Sequence, residues 1–284
     1  MRSHLKKYVL ILLAAFFVGG QPLLVWAEVQ STITIKNYIG YVPQRVADLI
    51  RQLRSFKDYA KMRVELTKGI ILFGPPGSGK THLARCIADE VGCPFFATNA
   101  ADFKQPLVGL GKDTIVKLFA DAREAARKDK SKKAIIFIDE FDAVGTRHNS
   151  AHDEGTSEVI NTLLNEMDGF KKDTDIHIIV IAATNFLERI DSALQRSGRF
   201  DYKIYVSYPD QKSREKFIEN FLKEYPSASN ISVVDLAKVT EGMSPADLVL
   251  LFNLAGCIAI DNKKKVRDAF CFDQALKQMK MNKH

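Results

Sequence analysis

The chain has 284 residues, of which 46% are hydrophobic and 26% are charged. That composition is ordinary for a globular protein of one or two domains, and the lack of internal repeats or low-complexity tracts excludes a repeat or fibrous protein. The net charge is +7, and lysines cluster only within residues 128–133 and 263–265. Because no aromatic residue interleaves with either run, we interpret both as solvated helix ends and loops and expect no nucleic-acid partner.

The first 30 residues differ in character from the rest of the chain. A basic start over residues 1–7 precedes a mainly apolar run over residues 8–27, which is about long enough to cross a bilayer. Two interpretations stay open. The run is either a membrane anchor or a cleaved signal peptide, in which the small residues Val25 and Ala27 precede the cut. We therefore expect membrane association through residues 5–27, or export.

Short apolar strands alternate with helices between residues 31 and 208. A β-like stretch at 31–36 and a largely helical stretch at 41–67 come first, and the strands that follow are predicted at residues 69–73, 94–98, 134–139, 176–184 and 203–206. Helices are predicted between them at residues 81–91, 114–127 and 157–167. Apolar strands separated by helices indicate an α/β domain whose parallel sheet is covered by helices on both faces.

The pattern changes at Pro209 and is helical from there on. Helical spacing is present at residues 212–224, 233–240, 245–262 and 272–281. The sequence therefore predicts a small all-helical domain over residues 209–284, after an α/β domain over residues 31–208.

A glycine-rich motif follows the strand at residues 69–73. Residues 74–81 read Gly-Pro-Pro-Gly-Ser-Gly-Lys-Thr, the G-x-x-x-x-G-K-[ST] pattern of a phosphate-binding loop. Its glycines let backbone N–H groups turn toward phosphate oxygens, and the following helix N-terminus favours the anion. We expect Lys80 to reach the β- and γ-phosphates and Thr81 to place its hydroxyl on Mg²⁺. The alternative, a strand-to-helix turn without a ligand, does not require the lysine and threonine.

Two acids, Asp139 and Glu140, directly follow the apolar run at residues 134–138. In open α/β sheets, ligands bind at the carboxyl ends of the strands. We expect Asp139 to hold Mg²⁺, directly or through water, and Glu140 to polarise the attacking water as a general base. A strand that ends in surface acids is the alternative, and the preceding phosphate loop argues against it.

Further polar residues end or precede the later strands. Asn185 follows the apolar run at 179–183 and is expected to position water near the γ-phosphate, although an asparagine there can also be a turn residue. Arg196 and Arg199 precede the last strand. They either pair with nearby acids or act as arginine fingers that stabilise transition-state charge.

The order of these motifs along the chain resembles that of an AAA ATPase. The motifs are residues 74–81, residues 135–140, Asn185, Arg196 and Arg199. The segments Phe-Ile-Asp-Glu-Phe-Asp-Ala-Val-Gly at 137–145, Asn-Glu-Met-Asp-Gly-Phe at 165–170 and Ser-Gly-Arg-Phe-Asp at 197–201 resemble, more closely, the ATPase module of the membrane-bound AAA metalloproteases of the FtsH type. The resemblance runs from about residue 38 to 281 and implies a P-loop NTPase (AAA) three-layer α/β domain followed by a helical lid.

The resemblance also implies roles for individual residues. Arg199, with Arg196, is expected to reach the nucleotide of an adjacent subunit in a ring, usually a hexamer, and residues 107–109 fall at the pore loop that grips protein substrate. Residues 39–40 border adenine, and residues 242–247 begin the lid helix. The nucleotide-binding residues identified in this way are Ile39, Gly40, Gly74, Pro75, Pro76, Gly77, Ser78, Gly79, Lys80, Thr81, His82, Gly242 and Ala246.

The sequence departs from the family pattern at several positions. Leu107 stands where the pore loop usually begins with an aromatic residue, Ser192 and Ser197 replace prolines, and Pro245 replaces a glycine. The chain stops near the point where the family's zinc protease domain begins, and it contains no H-E-x-x-H motif. We therefore expect no peptidase activity from this chain.

The resulting expectation is an ATP- and Mg²⁺-dependent ATPase, working on protein substrates as a homo-hexamer or in a mixed ring, in a compartment that contains ATP. The alternative is a nucleotide-binding scaffold or non-cycling partner that assembles with a full-length AAA protease.

Overall fold

The computed structural model describes residues 42–104, 110–144, 154–169 and 175–281, together with Phe17–Val18, Gln21–Pro22, Tyr38 and Gly40. The expected strand at residues 31–36, Ile39 and Leu107 lie outside these residues. Within the N-terminal apolar run, β1 (Phe17–Val18) pairs antiparallel with β2 (Gln21–Pro22). Among the residues described, no helix is both long and apolar enough to span a bilayer.

A five-stranded, all-parallel sheet forms the centre of the first domain. Its strands, in the order β4-β5-β6-β3-β7 across the sheet, are β3 (Gly69–Phe73), β4 (Phe95–Asn99), β5 (Lys133–Asp139), β6 (His177–Thr184) and β7 (Phe200–Tyr205). The fold prediction is confirmed. The sequence predicts the start of β7 three residues too late, because only Phe200 and Ile204 are buried in this edge strand and it lacks the continuous apolar run of a central strand.

Helices cover both faces of this sheet. They are α1 (Gln44–Arg54), α2 (Phe56–Lys61), α3 (Lys80–Val91), α4 (Leu110–Lys128) and α5 (Glu154–Asp168). Successive residues of a strand point to opposite faces. Accordingly, Ile136 packs in the core that contains Phe119 and Leu163, and Phe137 packs in the core that contains Leu49 and Leu83. The result is the three-layer arrangement that the sequence predicts.

Four more helices follow the sheet and enclose a third core. They are α6 (Gln211–Glu224), α7 (Val233–Val239), α8 (Pro245–Asp261) and α9 (Ala269–Met281). Their buried residues, among them Leu251, Phe252 and Phe272, form a cluster of their own. The helical prediction for this part of the chain is confirmed, apart from a single parallel bridge between Ser227 and Arg267. The boundary between residues 208 and 209 stays a prediction.

Candidate nucleotide-binding site

The glycine-rich loop connects the end of β3 to the start of α3, and its backbone requires glycine. Gly74 has a φ of +150°, and a Cβ atom there would lie 2.3 Å from the Val206 carbonyl oxygen. Gly79 has a φ of +93° and is the N-cap of α3. Both conformations are strained for a residue with a side chain. The glycines therefore let the loop wrap tightly around the N-terminus of α3, where backbone N–H groups lack helical partners.

Lys80 is buried inside this loop. Its ammonium group donates to the carbonyl oxygens of Gly74 and Pro75, each at 2.9 Å, and to Oδ1 of Asn185 at 2.7 Å. Burial lowers the pKa of Lys80, and the charges of Asp139 and Asp142 act in the opposite direction. The structure thus joins the lysine and the asparagine that the sequence places 105 residues apart.

The hydroxyl of Thr81 faces the end of β5, where its Oγ1 donates to Oδ2 of Asp139 at 2.9 Å. The other carboxylate oxygen of Asp139 accepts a 2.9 Å hydrogen bond from the backbone N–H of Glu140. A hydroxyl and a carboxylate are hard oxygen ligands of the kind that Mg²⁺ prefers. The donor set at this point therefore fits the cation that the sequence predicts.

Glu140 follows Asp139 with a φ of +51°, an uncommon conformation for a residue other than glycine. Its Oε2 accepts a 2.9 Å hydrogen bond from Nδ2 of Asn99. Asn99 ends β4, and the register pairs it with Asp139 at the end of β5. Asn99 is a residue of this site that the sequence motifs do not single out. The available signal was a polar side chain ending a predicted strand, as at Asn185, but the order of the strands was unknown.

The end of β6 carries a second set of polar contacts. Thr184, the last residue of β6, donates from Oγ1 to Oδ1 of Asp142 at 2.6 Å and accepts from the N–H of Phe186 at 3.0 Å. Between them lies Asn185, whose side chain reaches Lys80. These bonds hold the turn after β6 at the carboxyl edge of the sheet, beside the loop.

An aromatic pair forms one wall of the loop. The rings of Tyr38 and His82 stack with centroids 6.0 Å apart, and the Tyr38 ring also lies against Gly79 and Gly40. The pKa of His82 is lowered, mainly by burial and also by the charge of Arg85. His82 and Gly40, two of the expected nucleotide-binding residues, thus lie next to the loop.

The start of the lid helix α8 also lies against the loop. A Cβ atom on Gly77, where φ is +72°, would lie 3.1 Å from Oγ of Ser244 and 3.5 Å from Cβ of Ala246. Ser244 caps α8 through a reciprocal pair of hydrogen bonds with Asp247. Gly242 precedes this cap with a φ of +75°. The cap therefore fixes the start of α8 against the loop.

Arg196 and Arg199 lie at the other edge of the sheet. They precede β7, and the Arg199 carbonyl oxygen lies beside Gly69 at the start of β3. Because the five residues of β3 lie between this point and the loop, the backbone of Arg199 is roughly 16 Å from the start of the loop, measured along the strand. Arg199 donates to the Ala193 carbonyl oxygen at 2.9 Å and lies 3.6 Å from Asp168, whereas Arg196 is exposed. The structure does not bring either arginine to the loop of its own chain.

Comparison with known proteins identifies this arrangement. The family model for the ATPase family associated with various cellular activities (AAA) matches residues 70–208. Residues 70–208 belong to the AAA family. The matched AAA region contains the phosphate loop, both acids, Asn185 and both arginines.

Curated relatives extend the similarity beyond the AAA region. The chain is 36% identical over 270 residues to the "ATP-dependent zinc metalloprotease FtsH" of Paraburkholderia phymatum, which covers 92% of this chain and 40% of that protein. It is 40% identical over 235 residues to the FtsH of Streptococcus pneumoniae serotype 4, covering 82% of this chain and 35% of the relative. The chain therefore spans about two fifths of the length of these relatives and is similar to their AAA module.

ATP and Mg²⁺ are the usual cofactors of the AAA family, and the residues present fit both. Gly74 and Gly79 have positive φ angles of +150° and +93°, which let the loop wrap with its backbone N–H groups turned toward phosphate oxygens. The buried Lys80 supplies positive charge, and the paired Thr81 and Asp139 supply hard oxygen ligands.

Proposed function

We propose that this chain hydrolyses ATP to ADP and phosphate and uses the reaction to remodel or unfold protein as part of a ring. The observation that carries the proposal is the convergence of five side chains at the carboxyl edge of the sheet. Lys80 contacts Asn185, Thr81 contacts Asp139, and Glu140 follows Asp139 in the chain. These are the groups that a phosphoryl-transfer site requires, because such catalysis depends on positioning and on charge stabilisation.

Each side chain has a proposed role. Lys80 and the loop amides bind the phosphates, and Asn185 orients the attacking water. Thr81 and Asp139 would hold Mg²⁺, which supplies charge neutralisation at the phosphates when bound. Glu140 accepts the proton of the attacking water on a carboxylate oxygen. Asn99, which donates to Oε2 of Glu140, sets the direction of that carboxylate.

We propose that the site is completed by a neighbouring subunit. Arg199 and Arg196 lie at the edge of the sheet away from the loop of their own chain, so they can act as arginine fingers only on another copy. This requirement supports a homo-hexamer or a mixed ring, with a protein segment as substrate. Residues 5–27 provide membrane association in this proposal, and the AAA module faces a compartment that contains ATP.

We also propose that these 284 residues have no peptidase activity, because they contain no H-E-x-x-H motif. A casein-degradation assay with added Zn²⁺ tests this directly. Release of peptides by the purified chain would contradict it.

The test of the ATPase proposal compares the full chain with Glu140→Gln. The variant keeps the size of the side chain and removes the base, so phosphate release is expected to fall by about 100-fold or more while ATP still binds. Glu219→Gln is the matched control, because Glu219 is an exposed residue of α6 paired only with Lys223 in the ion pairs described. Equal turnover in the wild type and Glu140→Gln would sink the catalytic assignment.

A second candidate is a nucleotide-binding scaffold that joins a full-length AAA protease without cycling. Leu107 favours it, since an aliphatic residue stands where the related pore loops usually have an aromatic one. Oligomeric state with ATP separates the two. A self-assembled ring with turnover supports the motor, and a monomer that binds only a protease paralogue supports the scaffold.

A further inference from the structure

A tyrosine in the connection between the two domains is hydrogen-bonded to the phosphate loop. Tyr208 lies between β7 and α6, and its hydroxyl donates to the carbonyl oxygen of Pro76 at 3.2 Å. Two residues before Tyr208, the N–H of Val206 donates to the carbonyl oxygen of Phe73 at 2.8 Å. The connection therefore passes beside the loop, and Tyr208 contacts the loop at Pro76.

The bond from Tyr208 fixes the direction of one peptide unit. In a planar trans peptide, the C=O and N–H groups point to opposite sides. The Pro76 carbonyl and the Gly77 N–H belong to the same unit. Because Tyr208 holds this carbonyl toward the connection, the N–H of Gly77 points away from the connection and is free to donate to phosphate.

This N–H is important because of the two prolines before it. Pro75 and Pro76 have no backbone N–H, so Gly77 is the first residue after Gly74 that can donate one. The carbonyls of Gly74 and Pro75 are already held by Lys80. Tyr208 holds the next carbonyl in sequence, so side chains hold three successive carbonyls of the loop.

The same connection is tied to the lid. Arg214 is buried and donates to the carbonyl oxygen of Pro209 at 2.9 Å and to that of Ala237 in α7 at 3.1 Å. Two sets of hydrogen bonds, joined by the peptide bond between Tyr208 and Pro209, therefore connect Pro76 to the lid helices.

We infer that Tyr208 is a positioning residue that orients the Pro76–Gly77 peptide for phosphate and thereby raises the affinity of the site for nucleotide. The inference rests on the proposed ATP site. Tyr208 contacts the loop but none of the proposed catalytic groups. We therefore expect it to strengthen nucleotide binding equally in the ground state and in the transition state.

The test measures the dissociation constant of Mg·ADP by calorimetry for the full-length wild type, Tyr208→Phe and Tyr205→Phe. Tyr208→Phe removes one hydroxyl and is expected to raise the dissociation constant about 3- to 10-fold, the effect of one net hydrogen bond. Tyr205→Phe is the matched control, because Tyr205 is exposed and the described residues show no hydrogen bond to its hydroxyl.

A steady-state assay supplies the readout that a merely structural role would not give. For Tyr208→Phe, the KM for ATP is expected to rise by the same factor as the dissociation constant, with kcat unchanged and the melting temperature lowered by no more than the loss of one hydrogen bond produces. A dissociation constant equal to that of the wild type, or a fall in melting temperature without a change in affinity, would overturn the inference while leaving the ATPase intact. A wild type that binds no ADP would overturn the proposed function as well.

Discussion

Acidification is expected to destabilise the AAA module through one buried histidine. His177 begins β6 at the amino edge of the sheet, and its ring stacks on Phe56 with centroids 6.0 Å apart. Burial lowers the pKa of His177 from 6.5 to about 4; a hydrogen bond to the backbone of Thr67 acts in the opposite direction, and the charge of Lys133 lowers the pKa further. The folded protein therefore holds this imidazole neutral in a pH range where the unfolded chain protonates it.

The sign and size of the effect follow from linkage. Because the unfolded state binds more protons, the free energy of unfolding falls as the pH drops from about 6.5 toward 4. The contribution of His177 to stability is fully present above about pH 6.5. At about 1.4 kcal/mol for each unit of pKa difference, the loss between pH 7 and pH 4.5 is about 2.5 kcal/mol. This is a large share of the stability of a typical domain, which is about 5–15 kcal/mol.

The assay is urea unfolding of the wild type and His177→Gln at pH 7.0, 5.5 and 4.5. Glutamine keeps a hydrogen-bond donor and does not titrate. Subtracting the pH profile of the variant from that of the wild type removes the contribution of the carboxylates, which both proteins share. The wild type is expected to lose about 2.5 kcal/mol more than the variant over this range. Parallel profiles for the two proteins would refute the reasoning, since they would mean that His177 does not change its protonation on unfolding.

Two further substitutions test the site. Asn99→Ala removes the hydrogen bond to Glu140 and is expected to lower kcat about 10-fold or more with little change in KM. The reason is that a misplaced catalytic group costs up to about 100-fold in rate. An unchanged kcat in the phosphate-release assay would show that Asn99 does not contribute to catalysis. Gly74→Ala places a Cβ atom 2.3 Å from the Val206 carbonyl oxygen and is expected to lower both ADP affinity and the melting temperature. Gly92→Ala is its control, since Gly92 also has a positive φ but has space around its Cβ position, so the loss expected there is only about 1 kcal/mol of stability; equal losses in both variants would contradict the steric argument.

Much of the fold is predictable because local patterns specify it. The central strands are continuous apolar runs, and the phosphate loop is a fixed sequence in which each glycine, the lysine and the threonine have a conformational or chemical reason. The sequence predicts the start of β7 too late because this edge strand has few buried residues and gives a weaker apolar signal.

The contacts between distant segments were not predictable in the same way. Asn99 meets Glu140 across 41 residues, and Tyr208 meets Pro76 across 132 residues. Both contacts depend on the order of the strands, and that order follows from tertiary packing of the helices on the sheet. A polar residue at the end of a strand is a useful signal only when the neighbouring strand is known.

The central claim is that Lys80 of one subunit and Arg199 of the next share one site, and mixing two inactive variants tests it most directly. Lys80→Ala and Arg199→Ala are each expected to release phosphate only at background rate. Mixed in equal amounts and assembled together, they are expected to recover up to about one quarter of the wild-type rate, because a randomly mixed ring restores one intact site in about four. A mixture no more active than the sum of its parts, or full activity of Arg199→Ala alone, would contradict the shared site.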